Sequence, residues 1–146
     1  MESKKLLEFL NKGIASELNL SIKYMWQRVL VQGIEGAAVE NLLRDAATTK
    51  MKHAENLVER LVFLNGVPPN NIEPVHVGVT LVEMLKEDVQ AQEETVSLYR
   101  QAIQVASKEG DFATRRLLED ILIEEEKNLD KFSKLLVGMT SPFTQP

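Results

Sequence analysis

The sequence predicts an all-α fold built from four long helices. All five prolines and six of the seven glycines fall between or after four long segments, and only Gly13 lies inside one. The segments are rich in Leu, Glu, Lys, Ala and Gln, which favour helix, and none shows the alternation of a strand. Because proline and glycine interrupt helices, we place the helices approximately at residues 3–32, 37–65, 80–109 and 111–137.

The connections predict how the helices are arranged. The first pair is joined across Gly33–Gly36 and the second pair at Gly110, so each pair should form an antiparallel hairpin. Residues 66–79 are long enough, at about 3.3 Å per extended residue, to travel the length of a helix. The chain therefore predicts a single domain over residues 1–146: a four-helix bundle with one long crossover between helices 2 and 3.

Two helix starts carry recognisable capping residues. Thr80 and Glu83 have the spacing of a capping box, and Asp111 precedes the fourth segment as an N-cap. Both agree with the placement of the third and fourth helices.

Composition excludes several classes of function. The net charge is −5 with no basic run, so the chain is a poor candidate for binding nucleic acid or an anionic membrane. With no cysteine there is no disulfide, thiolate zinc site or cysteine nucleophile. No stretch approaches the length of a membrane span and no signal core is visible, so we expect a cytoplasmic protein.

The inward-facing stripe of each helix is apolar but has a polar interruption near its middle. Each interruption lies about 16–18 residues from the glycines that join its hairpin, so the four should meet at one level. The predicted layer contains Glu17, Lys50, His53, Gln92, Glu125 and Asn128. Buried charges cost several kcal/mol unless they are paired, so this layer needs internal partners or a bound ion. A purely structural polar layer is the simpler alternative.

The same segments resemble the bacterioferritin branch of the ferritin-like superfamily. The resemblance rests on KMKHAENLVERLVFLNGVP in the second helix, EMLKEDVQAQ in the third, LLEDILIEEEKNLDKF in the fourth, and the spacing from Glu17 to Tyr24 in the first. It implies a ferritin-like antiparallel bundle and a role in iron storage and handling. The family's di-iron site takes one Glu from each of two helices and a Glu-x-x-His motif from each of the other two.

Carrying these ligands over position by position gives an incomplete set. The resemblance keeps three residual metal ligands: Glu17, His53 and Glu125. It places three substituted residues at the other ligand positions: Lys50 for a bridging Glu, Gln92 for a terminal Glu and Asn128 for a His. The site-adjacent tyrosine of the family corresponds to Tyr24, whose simpler role is a core tyrosine that hydrogen-bonds within the polar layer.

Lys50 decides the functional prediction. Its amine would lie where the family has a bridging carboxylate, and ion pairs with Glu17 and Glu125 could replace the metal ions electrostatically. We therefore expect an eroded di-iron site with little or no ferroxidase activity, no bound cofactor or only sub-stoichiometric iron or another divalent metal, and a structural, regulatory or partner-subunit role. Whether the chain is an enzyme stays open. If it is one, the resemblance implies that it is a ferroxidase.

Three alternatives remain open. Glu17, His53 and Glu125 could hold a single metal ion and support an oxidase. Glu93 or Glu94 could supply the missing ligand if the third helix shifts its register. Met51 occupies the position at which bacterioferritins ligate haem across a dimer interface, so the chain could instead be a haem carrier, although a methionine that simply fills the interface is the plainer interpretation.

The resemblance also bears on assembly. Bacterioferritins continue into a short fifth helix that lines the fourfold axis of their shell, whereas we expect the tail over residues 138–146 to lack one, since it is short and contains Pro142. A homodimer is then the expected assembly, with a larger homo-oligomer or an active ferritin-like partner subunit as further possibilities.

Overall fold

The computed structural model describes residues 4–140, and four α-helices account for most of them. The helices are α1 (Lys4–Leu30), α2 (Gly33–Phe63), α3 (Leu81–Lys108) and α4 (Phe112–Thr140). The predicted all-α four-helix fold is confirmed. No helix within this range is long and apolar enough to cross a membrane.

The predicted helix ends were wrong at two glycines. α2 begins at Gly33 and includes Gly36, whose backbone N–H donates to the carbonyl of Gln32 at 3.2 Å. α4 continues through Gly138 to Thr140, so the first residues of the predicted tail are helical. A single glycine weakens a helix without ending it when the flanking residues continue the pattern. The rest of the predicted tail, residues 141–146, lies outside the described residues.

Both predicted caps are present. The Thr80 hydroxyl accepts from the N–H of Glu83 at 3.2 Å, while the Glu83 carboxylate accepts from the N–H of Thr80 at 3.3 Å. Asp111 accepts from the N–H of Thr114 at 3.0 Å. These contacts satisfy backbone donors that the first turn of a helix leaves unpaired.

Side-chain contacts show that neighbouring helices run antiparallel. The main contacts join α1 to α2, α3 to α4, α1 to α3 and α2 to α4. Between α1 and α3, Gln27 meets Asp88 and Tyr24 meets Gln92, so residue numbers rise on one helix as they fall on the other. Residues 31–32 and 109–111 form the two short hairpin connections.

The connection between α2 and α3 runs along α1. Asn19 donates to the Glu73 carbonyl at 2.7 Å, and Gln27 donates to the Val77 carbonyl at 3.2 Å. Asn19 lies near the middle of α1 and Gln27 near its C-terminal end. The crossover therefore follows α1 toward the end of the bundle where α3 begins, as its length predicted.

Two apolar clusters lie on either side of the polar layer. One is built around Leu10, Leu57 and Leu118, and the other around Leu43, Leu85 and Phe132. The predicted inward stripes are buried except at three positions that are only half-buried: Val89, Ile103 and Leu135. On α3 the buried face instead follows Leu85, Asp88, Gln92, Thr95, Tyr99, Ala102 and Ala106.

Asp88 is a fully buried carboxylate that sequence analysis missed. It accepts a hydrogen bond from Gln27 at 3.0 Å, but its Oδ2 atom has no hydrogen-bond partner among residues 4–140. Burial raises the pKa of Asp88 from 3.8 to about 7, against the opposing effects of the Gln27 hydrogen bond and the Lys23 charge; nearby Glu87 raises it further. The folded state therefore favours the protonated acid at this position.

We predict that Asp88→Asn changes how stability depends on pH. Because the folded pKa is raised, the unfolded carboxyl loses its proton first, and the wild-type chain loses stability as the pH rises from about 4 through 7. Asparagine keeps the acceptor for Gln27 and does not titrate. From pH 4 to pH 8 the variant should gain roughly 2–4 kcal/mol relative to wild type, measured by urea unfolding across that range. A difference between the two proteins that does not vary with pH would contradict this prediction.

Candidate functional site

All six predicted polar residues are buried at the centre of the bundle. Glu17, Lys50, Gln92 and Glu125 are 0% exposed, His53 is 2% exposed and Asn128 is 9% exposed. They come from all four helices, and apolar side chains close the layer from both sides. Solvent is thus largely excluded, which strengthens charge interactions and raises the cost of any unpaired charge.

Lys50 joins α2 to the two buried carboxylates. Its ammonium Nζ pairs directly with Glu125 Oε2 on α4 and lies 3.8 Å from Glu17 Oε1 on α1. A fully buried lysine without such a partner would leave an uncompensated charge in the core. The sequence predicted that this amine would pair with these two carboxylates, and in the structure Lys50 Nζ lies beside both.

Both ring nitrogens of His53 face carboxylates. Nδ1 lies 2.9 Å from Glu125 Oε1 and 3.3 Å from Glu17 Oε2, while Nε2 lies 2.7 Å from Glu124 Oε2. Ionised carboxylates only accept hydrogen bonds, so both nitrogens act as donors when the ring is an imidazolium. Burial alone would lower the pKa of His53, but contacts with Glu125 and Glu17 outweigh it and raise this pKa to about 10. The layer therefore holds a second cation.

The two central carboxylates differ in their protonation. Burial is the largest influence on Glu17 and raises its pKa to about 7, although Lys50 opposes the change. Burial acts in the same direction on Glu125, but the hydrogen bond from His53 and the charge of Lys50 prevail and lower its pKa to about 2. Glu125 is consequently the fixed anion at the centre, and Glu17 is the group that can accept a proton near neutral pH.

Two tyrosines and Gln92 complete the network. The Tyr24 hydroxyl donates to Gln92 Oε1 at 2.9 Å, and Gln92 Nε2 donates to Glu125 Oε2 at 2.9 Å. The Tyr99 hydroxyl donates to Glu17 Oε1 at 2.8 Å. Tyr24 therefore contacts the layer in the way a core tyrosine was expected to. The role of Tyr99 was missed, although its place on the inward stripe was a usable signal.

Asn128 is the one predicted member left outside the network. Its Nδ2 atom is buried and has no hydrogen-bond partner among residues 4–140. Glu124, which was not among the predicted members, is about half-exposed and pairs with His53. The suggested register shift on α3 is wrong: Glu93 and Glu94 are exposed, while Gln92 points into the layer.

The three residual ligands lie close together. One ligand atom from each of Glu17, His53 and Glu125 falls within 4.8 Å of the others. Met51 lies elsewhere, on the outer face of α1 and α2. It is 39% exposed and lines an open groove of about 520 Å³ together with Met25.

Comparison with known proteins identifies the class to which this fold and polar centre belong. The family model described as Ferritin-like domain matches residues 7–140. The chain therefore belongs to the ferritin-like family.

Several relatives are bacterioferritins. The bacterioferritin of Desulfovibrio desulfuricans is 30% identical over 132 residues, covering 90% of this chain and 74% of the relative. That of Rhodobacter capsulatus is 29% identical over 128 residues, covering 86% and 79%. A nutrient stress-induced DNA-binding protein from Synechococcus is 30% identical, covering 86% and 77%. The resemblance to bacterioferritin-type proteins is thus confirmed.

Proposed function

We propose that this chain is a bacterioferritin-type protein in which an internal ion-pair network replaces the di-metal centre, leaving little or no ferroxidase activity. Its role is then structural, regulatory or that of a partner subunit in iron handling. The observation that carries the proposal is the contact of Lys50 Nζ with Glu125 Oε2, in the space where the family resemblance puts a bridging carboxylate.

The donor set does not fit two divalent ions. Four carboxylates would neutralise two such ions, but the centre offers Glu17 and Glu125, one of which has a pKa raised to about 7. Gln92 uses its amide N–H groups to donate to Glu125, and Lys50 and His53 already neutralise the two carboxylates. An amide is a poor ligand for iron, and an ammonium group cannot act as a ligand at all. The network therefore supports a core that does not depend on metal.

A second candidate function is a site for one divalent cation. The close approach of Glu17, His53 and Glu125 favours it, because two oxygens and one imidazole nitrogen are a reasonable set for iron, zinc or manganese. To bind there, the cation would have to displace Lys50 from Glu125 and deprotonate His53. We therefore rank this candidate below the first.

An exposed apolar surface supports the proposed self-association. Trp26, Val29, Leu30 and Ile34 are 51%, 69%, 54% and 91% exposed at the end of α1 and the start of α2. Large apolar side chains that are exposed together in one hairpin are often covered by another protein surface. We propose a homodimer, or a pairing with an active ferritin-like subunit, through this hairpin. A haem on Met51 would likewise require a second copy to complete its surroundings.

We predict that the purified protein binds no metal at its centre. After loading with ferrous iron or zinc and removal of loosely bound ions, elemental analysis should find well below one ion per chain, and ferrous iron should oxidise no faster than in buffer. The reason is that Lys50 and His53 satisfy the charge which the metal would otherwise supply.

The same measurement separates the candidates. One ion per chain, lost in His53→Ala, would favour the single-cation site. Two ions per chain with rapid oxidation would overturn both proposals. A Soret absorption band in the purified protein would favour the haem carrier.

A further inference from the structure

A cationic cavity lies beside the polar layer, between α2 and α4. Its volume is about 410 Å³, and it is lined by Thr49 and Lys52 from α2 and by Glu124, Lys127, Asn128 and Lys131 from α4. Glu124 and Asn128 border the proposed metal-free centre as well, whereas the three lysines have no part in it. Three lysines line this one opening, although the chain carries a net charge of −5.

The three lysines are available to a ligand. Lys52, Lys127 and Lys131 are exposed, and none forms an ion pair with a carboxylate in the part of the chain that the structure describes. The one acidic side chain at the cavity, Glu124, already has its Oε2 atom 2.7 Å from His53 Nε2. The cavity therefore has an excess of positive charge that nothing within it offsets.

Asn128 adds a buried donor. Asn128 is 9% exposed and lines the cavity, and its buried Nδ2 atom has no hydrogen-bond partner within the described range of the chain. A buried amide N–H left unpaired costs roughly 1–3 kcal/mol, so such a group indicates a missing acceptor. An acceptor surrounded by three lysines is most simply an anion with several oxygens.

We propose that this cavity binds a small tetrahedral oxyanion of the phosphate class, held by Asn128 and by Lys52, Lys127 and Lys131. Ammonium groups form charge-assisted hydrogen bonds with phosphate oxygens, and the unpaired Nδ2 atom of Asn128 belongs to a residue that lines the same opening. Duplex DNA would use the same phosphate chemistry. One local group of three lysines on an acidic chain suits a small anion better than a polyelectrolyte, which needs an extended basic surface.

The test is calorimetric titration of sodium phosphate into the full-length protein, stripped of metal and dialysed free of chelator, near neutral pH and at low ionic strength. Removing metal ensures that phosphate does not bind through iron. We expect saturable binding with one site per chain, and none with chloride. Lys127→Gln and Lys131→Gln should each weaken binding by about three- to tenfold, and Asn128→Asp by at least tenfold.

Lys134→Gln is the matched control, because Lys134 is an exposed lysine of α4 that does not line the cavity and pairs with Asp130 at 2.9 Å. It should bind phosphate like wild type. The two lysine variants decide the test if Asn128→Asp fails to fold, since both lysines are exposed. Absence of phosphate binding, equal binding by chloride, unchanged affinity in both lysine variants, or displacement of phosphate by a short DNA duplex that binds more tightly would overturn the proposal.

Discussion

Substituting Lys50→Glu, Gln92→Glu and Asn128→His together is expected to create a chain that binds two divalent ions and oxidises ferrous iron well above the buffer rate. The triple variant supplies the four carboxylates and two imidazoles of the family's ligand set. The carboxylate introduced at position 50 would enter the space that the Lys50 amine now occupies beside Glu125, and the ammonium that excludes a cation would be gone. Elemental analysis and the rate of ferrous oxidation measure the outcome.

The double variant Gln92→Glu with Asn128→His is the matched control. It adds ligands but keeps Lys50, so we expect it to bind far less metal than the triple variant. Bound metal should also raise the thermal unfolding midpoint of the triple variant, since an ion that binds only the folded state stabilises it. A triple variant that folds yet stays metal-free would show that the ligand positions have been assigned wrongly.

Lys50→Met is expected to destabilise the protein by roughly 3–5 kcal/mol near pH 7.5, because it leaves Glu125 and Glu17 buried without their ammonium partner. Methionine has a similar length and an apolar surface, so the loss reports mainly on charge. The defect should shrink toward pH 5, where Glu17, whose folded pKa is about 7, is protonated and one negative charge is removed. Urea unfolding at fixed protein concentration measures it.

Lys23→Met is the control for burying a methionine in place of a lysine. Lys23 is 8% exposed, and the one ion pair it makes among residues 4–140 is a 3.4 Å contact with the partly exposed Glu87, although its charge also lowers the pKa of Asp88. We expect a loss of about 1 kcal/mol or less at this position. If Lys50→Met also costs about 1 kcal/mol or less, then the buried carboxylates do not depend on the amine, and the central argument of the proposed function is wrong.

The sequence predicted the position of the polar layer but not its protonation. Glu17, Lys50, His53, Gln92 and Glu125 could be aligned because helix periodicity is regular and each hairpin has a short connection. The charge of His53 could not be predicted, since it depends on how closely its Nδ1 atom approaches Glu125 and Glu17 on two other helices. Side-chain conformations set those distances, and sequence spacing does not.

The misplaced face of α3 has a similar cause. The predicted apolar stripe of α3 runs through Val89 and leaves out Asp88, a residue type that is rarely buried without a partner. Gln27, on another helix, donates to Asp88 and makes its burial tolerable, and that pairing is a tertiary contact. Likewise, the sequence could not predict that Asn128 Nδ2 is unpaired, because this depends on Gln92, Lys50 and His53 forming a network that leaves Asn128 out.

The charged layer at mid-bundle also sets the axial alignment of the helices. Apolar side chains such as Leu57, Leu118 and Phe132 would tolerate a slip of one helix along its neighbour, because one aliphatic surface packs about as well as another. A slip of α4 by one turn, about 5.4 Å, would carry Glu125 away from Lys50 and His53 and leave its buried charge without these two cationic partners. The ion-paired centre thus specifies one axial register for the four helices, which a uniformly apolar core would not.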